Sequence, residues 1–298
     1  LKLFFGLSVM SLDGIKGKQV GLVVRLVSGE TILSLHDTQT DWTYADIMQR
    51  LMAEATPPAA HTYKLTFGDM ILKDGNTMAE LIGASGDADA QLALTAIVEP
   101  NKHAPTLERA LLHLENMVAS ASTRLEMQVV LGIGSSRRNK KFDPHRLHHT
   151  EGGHAVMLAI QALCSLLLEP DMDSPDNRGA PKHPWATDQS RLERLSKLFP
   201  DSEACRVHCG ARCECNSALF ALAIRRYHPG DILHSNLDPD ETVSRLSPII
   251  AESDFRSNQF QPGYIAVPSK AVAFCQAVCD WCHVLYSYCE VALGRAVA

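Results

Sequence analysis

The 298 residues carry 28 Lys/Arg against 34 Asp/Glu, a net charge of −6, and 46% of them are apolar. That length corresponds to about two domains with real hydrophobic cores. The acidic balance argues against a nucleic-acid partner, because such binders carry a basic surplus, and no apolar run approaches the ~18 residues of a membrane span.

The charge is uneven. Residues 1–100 hold 7 basic and 12 acidic side chains, whereas residues 101–298 hold 21 and 22. Nine cysteines, odd in number and clustered on helical patterns, point to a reducing, cytoplasmic setting and away from a disulfide framework.

Residues 1–19 read as a disordered or leader-like tail. Their apolar part is short and has no small-x-small cleavage site. The chain does not begin with Met, and both a start at Met10 and a fragment of a longer protein are open.

From Val20 to Val27 the residues are apolar and β-branched, Ser28-Gly29-Glu30 is a turn, and Thr31 to Leu35 is a second strand. Asp41 or Thr43 can cap a helix with Tyr44, Ile47, Met48 and Leu51 on one face, and Pro57-Pro58 ends it. Tyr63 to Phe67 is a third strand and Met70 to Leu72 a short fourth. Lys73-Asp74-Gly75 is a turn, Met78, Leu81 and Ile82 form a helical turn, and Leu92 to Val98 is the last strand. Glu99 to Pro105 is a polar linker with two prolines.

The rest is helical. Leu107, Leu111, Leu114, Val118, Ala121 and Leu125 step by 4 and 3, on a helix of about 25 residues from Thr106, about 37 Å long. A basic stretch, Arg137 to His149, follows; its plain reading is a solvated loop. Residues 154–168 are apolar nearly all round, which predicts a buried helix. Residues 169–184 read as a loop, and Leu192, Leu195 and Leu198 mark an amphipathic helix. Further helices are predicted over 217–226 and 242–250, with a loop from Asp254 to Pro268. The last helix carries Ala271, Cys275, Val278, Cys282, Leu285, Cys289 and Ala292, again stepping by 4 and 3. Two such stripes far apart in sequence predict an antiparallel coiled coil with a small helical domain at its tip.

Several residues invite a chemical reading. Cys205, His208, Cys209, Cys213 and Cys215 offer zinc-type donors, but their spacing lacks a C-x2-C pair and is that of one helix face. No metal is expected there. His145, His148, His149 and His154 near Glu151 read as an exposed His-rich loop rather than a metal site. Gly153-His154 hints at a thiol protease, yet no cysteine sits in a nucleophile motif. No G-x-x-x-x-G-K-[ST] loop occurs, since Gly14-Ile-Lys-Gly-Lys-Gln19 fails in spacing and last residue. The chain is therefore read as a non-enzyme without a cofactor, with a zinc-dependent or ubiquitin-pathway enzyme as the remote alternative.

Two resemblances add to this. The runs Val24-Arg-Leu-Val-Ser-Gly-Glu30, Thr62-Tyr-Lys-Leu-Thr-Phe-Gly68, Leu72-Lys-Asp-Gly-Asn-Thr-Met78 and Leu92-Ala-Leu-Thr95 resemble ubiquitin over residues 20–98. The resemblance implies a β-grasp domain, and places the family's hydrophobic recognition patch on Val27, Thr66 and Thr95. No Gly-Gly tail follows Val98, so a built-in docking domain is implied, not a conjugated modifier.

Residues 106–293 resemble the dynein heavy-chain stalk and its microtubule-binding tip. The matching runs, in order, include Leu107-Glu-Arg-Ala-Leu-Leu-His-Leu114, Val156-Met-Leu-Ala-Ile-Gln-Ala-Leu163, Pro184-Trp185-Ala186, Leu246-Ser-Pro-Ile-Ile250 and Cys279-Asp-Trp-Cys-His-Val284. This resemblance implies tubulin contact through Arg137, Arg138, Lys140, Lys141, Arg146 and Lys270. Asp280 and His283 stand where the family has basic residues beside its Trp. The combined expectation is α+β: a ubiquitin-like β-grasp domain (20–98), a linker (99–105) and an all-α domain on a short antiparallel coiled coil (106–298). The implied role is a cytoplasmic, cytoskeleton-associated adaptor with a protein partner for the first domain and microtubules for the second. The alternative is a helical docking module without tubulin binding.

Overall fold

A computed structural model describes residues 19–55, 57–58, 60–73, 75–85, 91–131, 152–168, 189–199, 215–231, 237–260 and 267–295. The fold is α+β, and the chain divides into two compact units: residues 1–101 with 290–298, and residues 102–289.

The first unit is built on a five-stranded mixed sheet. Strands β1 (Gln19–Leu26) and β2 (Thr31–Gln39) form a hairpin. Helix α1 (Tyr44–Glu54) follows, then β3 (His61–Phe67), β4 (Met70–Ile71), helix α2 (Met78–Ser85) and β5 (Leu92–Pro100). The sheet order is β2-β1-β5-β3-β4, and β1 and β5 are parallel. The hairpin turns at Gly29, whose φ of +90° is open to glycine at little cost. Its amide bonds back to Leu26 at 2.8 Å.

Local sequence explains the α1 start. Thr43 and Asp46 form a capping box that satisfies two orphan donors of the first turn. The Thr43 amide and hydroxyl both donate to Asp46 and hold its carboxyl below the ordinary range. The period-2 apolar residues of the strands then meet the 3.6-period stripe of α1. Leu22, Val24, Leu65, Leu94, Ile47, Met48 and Leu51 form one buried cluster. Full burial of each such side chain stabilises by about 1.5–3 kcal/mol.

The first unit also includes the end of the chain's last helix, α9 (Ser269–Ala292; α3–α8 are described below). Gly294, with φ +72°, terminates it. The Gly294 amide bonds to the Val291 carbonyl at 3.0 Å and the Arg295 amide to Glu290 at 2.8 Å, a Schellman closure.

The described elements of the second unit are helical: α3 (Ala104–Ala119), α4 (Ala121–Val130), α5 (Gly153–Leu167), α6 (Gln189–Ser196), α7 (Cys215–Arg225), α8 (Pro239–Ile250) and α9 up to Cys289. A short 3-10 turn lies at Ser257–Gln259. Helix α5 is buried on nearly every face, as its composition predicts. Phe199, Phe220 and Phe274 meet at centroid distances of 5.2–5.6 Å.

Two expectations change here. The helix predicted as one piece from Thr106 is two, broken at Ser120, whose backbone is extended. The buried Arg124 donates to the Val118 and Ala119 carbonyls at 2.7 and 2.9 Å, satisfying the exposed end of α3. The break rotates the register, so Leu107, Leu111, Leu114 and Val118 are buried while Ala121 and Leu125 are exposed. The second change concerns α9. Its predicted stripe is buried, but so are Val272, Phe274, Ala277, Cys279 and Trp281 on other faces. That is the burial of a helix at the centre of a bundle, broader than one coiled-coil seam.

Candidate docking surface

The register of the sheet builds a surface directly. Partners across a sheet point to the same face, and Thr31, Arg25, Thr95, Thr66 and Ile71 are successive partners from β2 through β1, β5 and β3 to β4. Their neighbours Leu22, Val24, Leu65 and Leu94 point into the core under α1, so this row faces outward. Two of the three sequence-predicted patch residues, Thr66 and Thr95, are thus direct neighbours.

Thr66 is 9% exposed, and its hydroxyl donates toward the Thr95 carbonyl at 3.5 Å. It forms the floor. On the same face stand two exposed apolar side chains, Val27 at 74% and Ile71 at 45%; Met70 pairs with Phe67, which packs on the core, so it points to the opposite face. Val27 projects from the hairpin turn just past Arg25. Lys64 and Glu99 pair at 3.1 Å on the adjoining strands. The row offers an apolar rim, a guanidinium and a threonine floor, the mixture common to protein contact surfaces. Arg25 and Ile71 are missed by sequence reasoning, because their place beside Thr95 and Thr66 depends on strand register, which no local pattern shows.

The basic candidates are placed unevenly. Arg137, Arg138, Lys140, Lys141 and Arg146 lie outside the described residues. Lys270 is described, and sits in the first turn of α9. Glu126 accepts from the amides of Lys270 and Ala271 at 2.7 and 3.2 Å, and the Lys270 ammonium donates to the Ser122 hydroxyl. The carboxylate thereby caps the positive end of α9.

Asp280 and His283 are engaged by the chain itself. The Ser257 hydroxyl donates to Asp280, and His283 Nε2 lies 2.8 Å from the Phe255 carbonyl with the two rings stacked. These contacts hold the 255–257 segment on α9.

Of the zinc-type donors, Cys205, His208, Cys209 and Cys213 lie outside the described residues, as does the side chain of Cys215. Among the described residues, no group of three or more His, Cys, Asp or Glu could hold a metal ion. Cys164, Cys275, Cys279, Cys282 and Cys289 are buried. Burial pushes Cys164, Cys275 and Cys279 up to about 12, and Cys282 well up, the opposite of a nucleophile's requirement. His145, His148 and His149 lie outside the described residues, and His154 Nδ1 pairs with Asp254 at 2.8 Å.

A cleft of about 570 Å³ in the second unit is lined by Cys164, Arg191, Asp238, Asp240, Glu241 and Arg245, among others. Arg245 is committed to Glu241 and, at 2.8 Å, to the Ser165 carbonyl. Asp238 caps α8 by accepting from the Glu241 amide at 3.1 Å. These charges mainly hold the helices to one another.

Among the described residues, no helix is long and apolar enough to cross a membrane. No protein-family model, curated protein or solved structure matches this chain.

Proposed function

We propose that this chain is a non-enzymatic adaptor whose N-terminal unit is a ubiquitin-like β-grasp domain that docks a partner protein on its outer sheet face. The order β2-β1-β5-β3-β4, with β1 and β5 parallel and α1 packed on the other face, supports the β-grasp reading. The observation that carries the docking role is the row from Arg25 to Ile71 with Val27 exposed beside it. A photo-crosslinking amino acid at position 27 or 71, in extracts of the source cells, tests it. The expected result is one protein captured at both positions which, once purified, binds the unmodified chain directly. Capture with no direct binding by the purified protein overturns the reading.

A second reading assigns microtubule contact to the helical unit, through Arg137, Arg138, Lys140, Lys141, Arg146 and Lys270. It is favoured by one placement. The Lys270 ammonium donates to the Ser122 hydroxyl on α4, the helix that leads to Leu131, and the basic stretch follows Leu131 in the sequence. Co-sedimentation with microtubules at low salt checks it. Pelleting that falls with salt and is lost when the five residues from Arg137 to Arg146 become Ala supports it. Pelleting at background, or unchanged by those substitutions, leaves the helical unit as a docking module without tubulin binding.

A further inference from the structure

The end of the last helix is held on the first unit by contacts of three kinds. The Thr62 hydroxyl donates to the Val291 carbonyl at 3.1 Å, the same carbonyl that accepts from Gly294. Gly294 rests on α1, where an added Cβ would fall 2.8 Å from Met48 Cγ and 3.0 Å from Tyr44 Cε1. The Arg295 guanidinium folds back on Glu290 at 3.3 Å and fixes the turn. Ala292 and Leu293 are buried, and Met48 has no exposed surface in this arrangement.

A donor aimed at a last-turn carbonyl, together with a seat that admits only a left-handed glycine, selects one chemistry: the C-terminal end of a helix closed by glycine. More than two hundred residues separate the seat from its occupant in sequence (|i−j| of 229 for Thr62 and Val291). Their meeting is therefore a binding event within one molecule, favoured by a high effective concentration.

The geometry points to a docking site on the first unit, made by Tyr44, Met48 and Thr62, whose built-in ligand is the segment 290–295 of the same chain. When that segment is displaced, the same segment of a second copy takes its place. Thr62 lies further back along β3 on the same face as Thr66, and Tyr44 and Met48 lie on α1; the site uses none of Arg25, Val27 or Ile71 and stands whether or not they bind a partner.

The test uses the full chain and a fluorescent peptide of residues 284–298. Leu293→Asp in the chain puts a charge at a buried position and ejects the resident segment. The Leu293→Asp chain is expected to raise the anisotropy of the unmodified peptide, and to bind a Gly294→Val peptide at least about tenfold more weakly. The unmodified chain is expected to bind the peptide at least about tenfold more weakly than the Leu293→Asp chain, because its own segment competes. Equal binding of the two peptides, or no binding by a folded Leu293→Asp chain, overturns the proposal. Hydrogen exchange on the unmodified chain decides independently of that variant's folding. The Gly294 and Arg295 amides are expected to exchange at least about a hundredfold more slowly than in the free peptide. Exchange at free-peptide rates overturns it.

Discussion

Gly294→Ala isolates a contact that sequence reading does not foresee. The substitution adds one methyl group in a left-handed conformation, φ +72°. For a non-glycine residue that conformation costs about 1–2 kcal/mol. The methyl carbon would also sit 2.8 Å from Met48 Cγ, 3.0 Å from Tyr44 Cε1 and 3.1 Å from Met48 Cε. Met48 is fully buried and its Cγ is mid-chain, while the Tyr44 ring is rigid and nearly buried, so neither yields freely. Overpacking of this kind costs about 1–3 kcal/mol. The sum is about 2–5 kcal/mol, lost from the first unit. At about 4–8 °C per kcal/mol for a unit of this size, the loss is read in a thermal melt followed by Trp42, which belongs to that unit. The control is Gly75→Ala. Gly75 also has positive φ, +95°, but nothing lies within 4 Å of its added Cβ, so it carries the backbone cost alone. Gly294→Ala is expected to be the more destabilising by about 1–3 kcal/mol. Equal effects would show that the segment is not seated on α1.

Three further outcomes are expected. Glu126→Ala removes the carboxylate that caps α9 and is expected to cost about 1–2 kcal/mol in a urea melt of the helical unit; no loss contradicts the capping role. The buried thiols Cys164, Cys275, Cys279, Cys282 and Cys289 are expected to resist alkylation at pH 8 in the native chain and react after denaturation, read residue by residue by mass spectrometry. Alkaline stability follows from the same burial. Cys164 and Cys275 ionise near 9 when unfolded and near 12 when folded, so their stabilisation is complete below pH 9 and is lost between pH 9 and 12. The slope is up to about 1.4 kcal/mol per pH unit for each thiol, and a melting temperature that rises over that range would contradict it.

The first unit was largely legible. Alternating apolar residues gave the strands in order, and Thr43 lay where a cap was needed. The row from Thr31 to Ile71 was not legible, because strand register is a property of pairs and the sequence lists strands singly. In the helical unit, the 4-3 steps of α9 described one of its buried faces correctly. They were silent on Val272, Phe274 and Trp281, which make it a central helix. The break at Ser120 escaped notice because no Pro or Gly marks it, and a buried Arg124 satisfies the carbonyls that a break exposes. Helix α8 begins at Pro239, earlier than predicted, because Asp238 followed by Pro239 is a start signal that apolar periodicity overlooks. The seat of Gly294 on α1 was not legible, since it joins residues from opposite ends of the chain.

The most direct test of the adaptor account is a calorimetric titration of the protein captured at position 27 against the chain carrying Val27→Asp and Ile71→Asp together. Both side chains are well exposed, so folding is expected to be unchanged, and affinity is expected to fall at least about tenfold, the effect of losing about 1.4 kcal/mol. An unchanged affinity in a folded double variant would contradict docking through the outer sheet face.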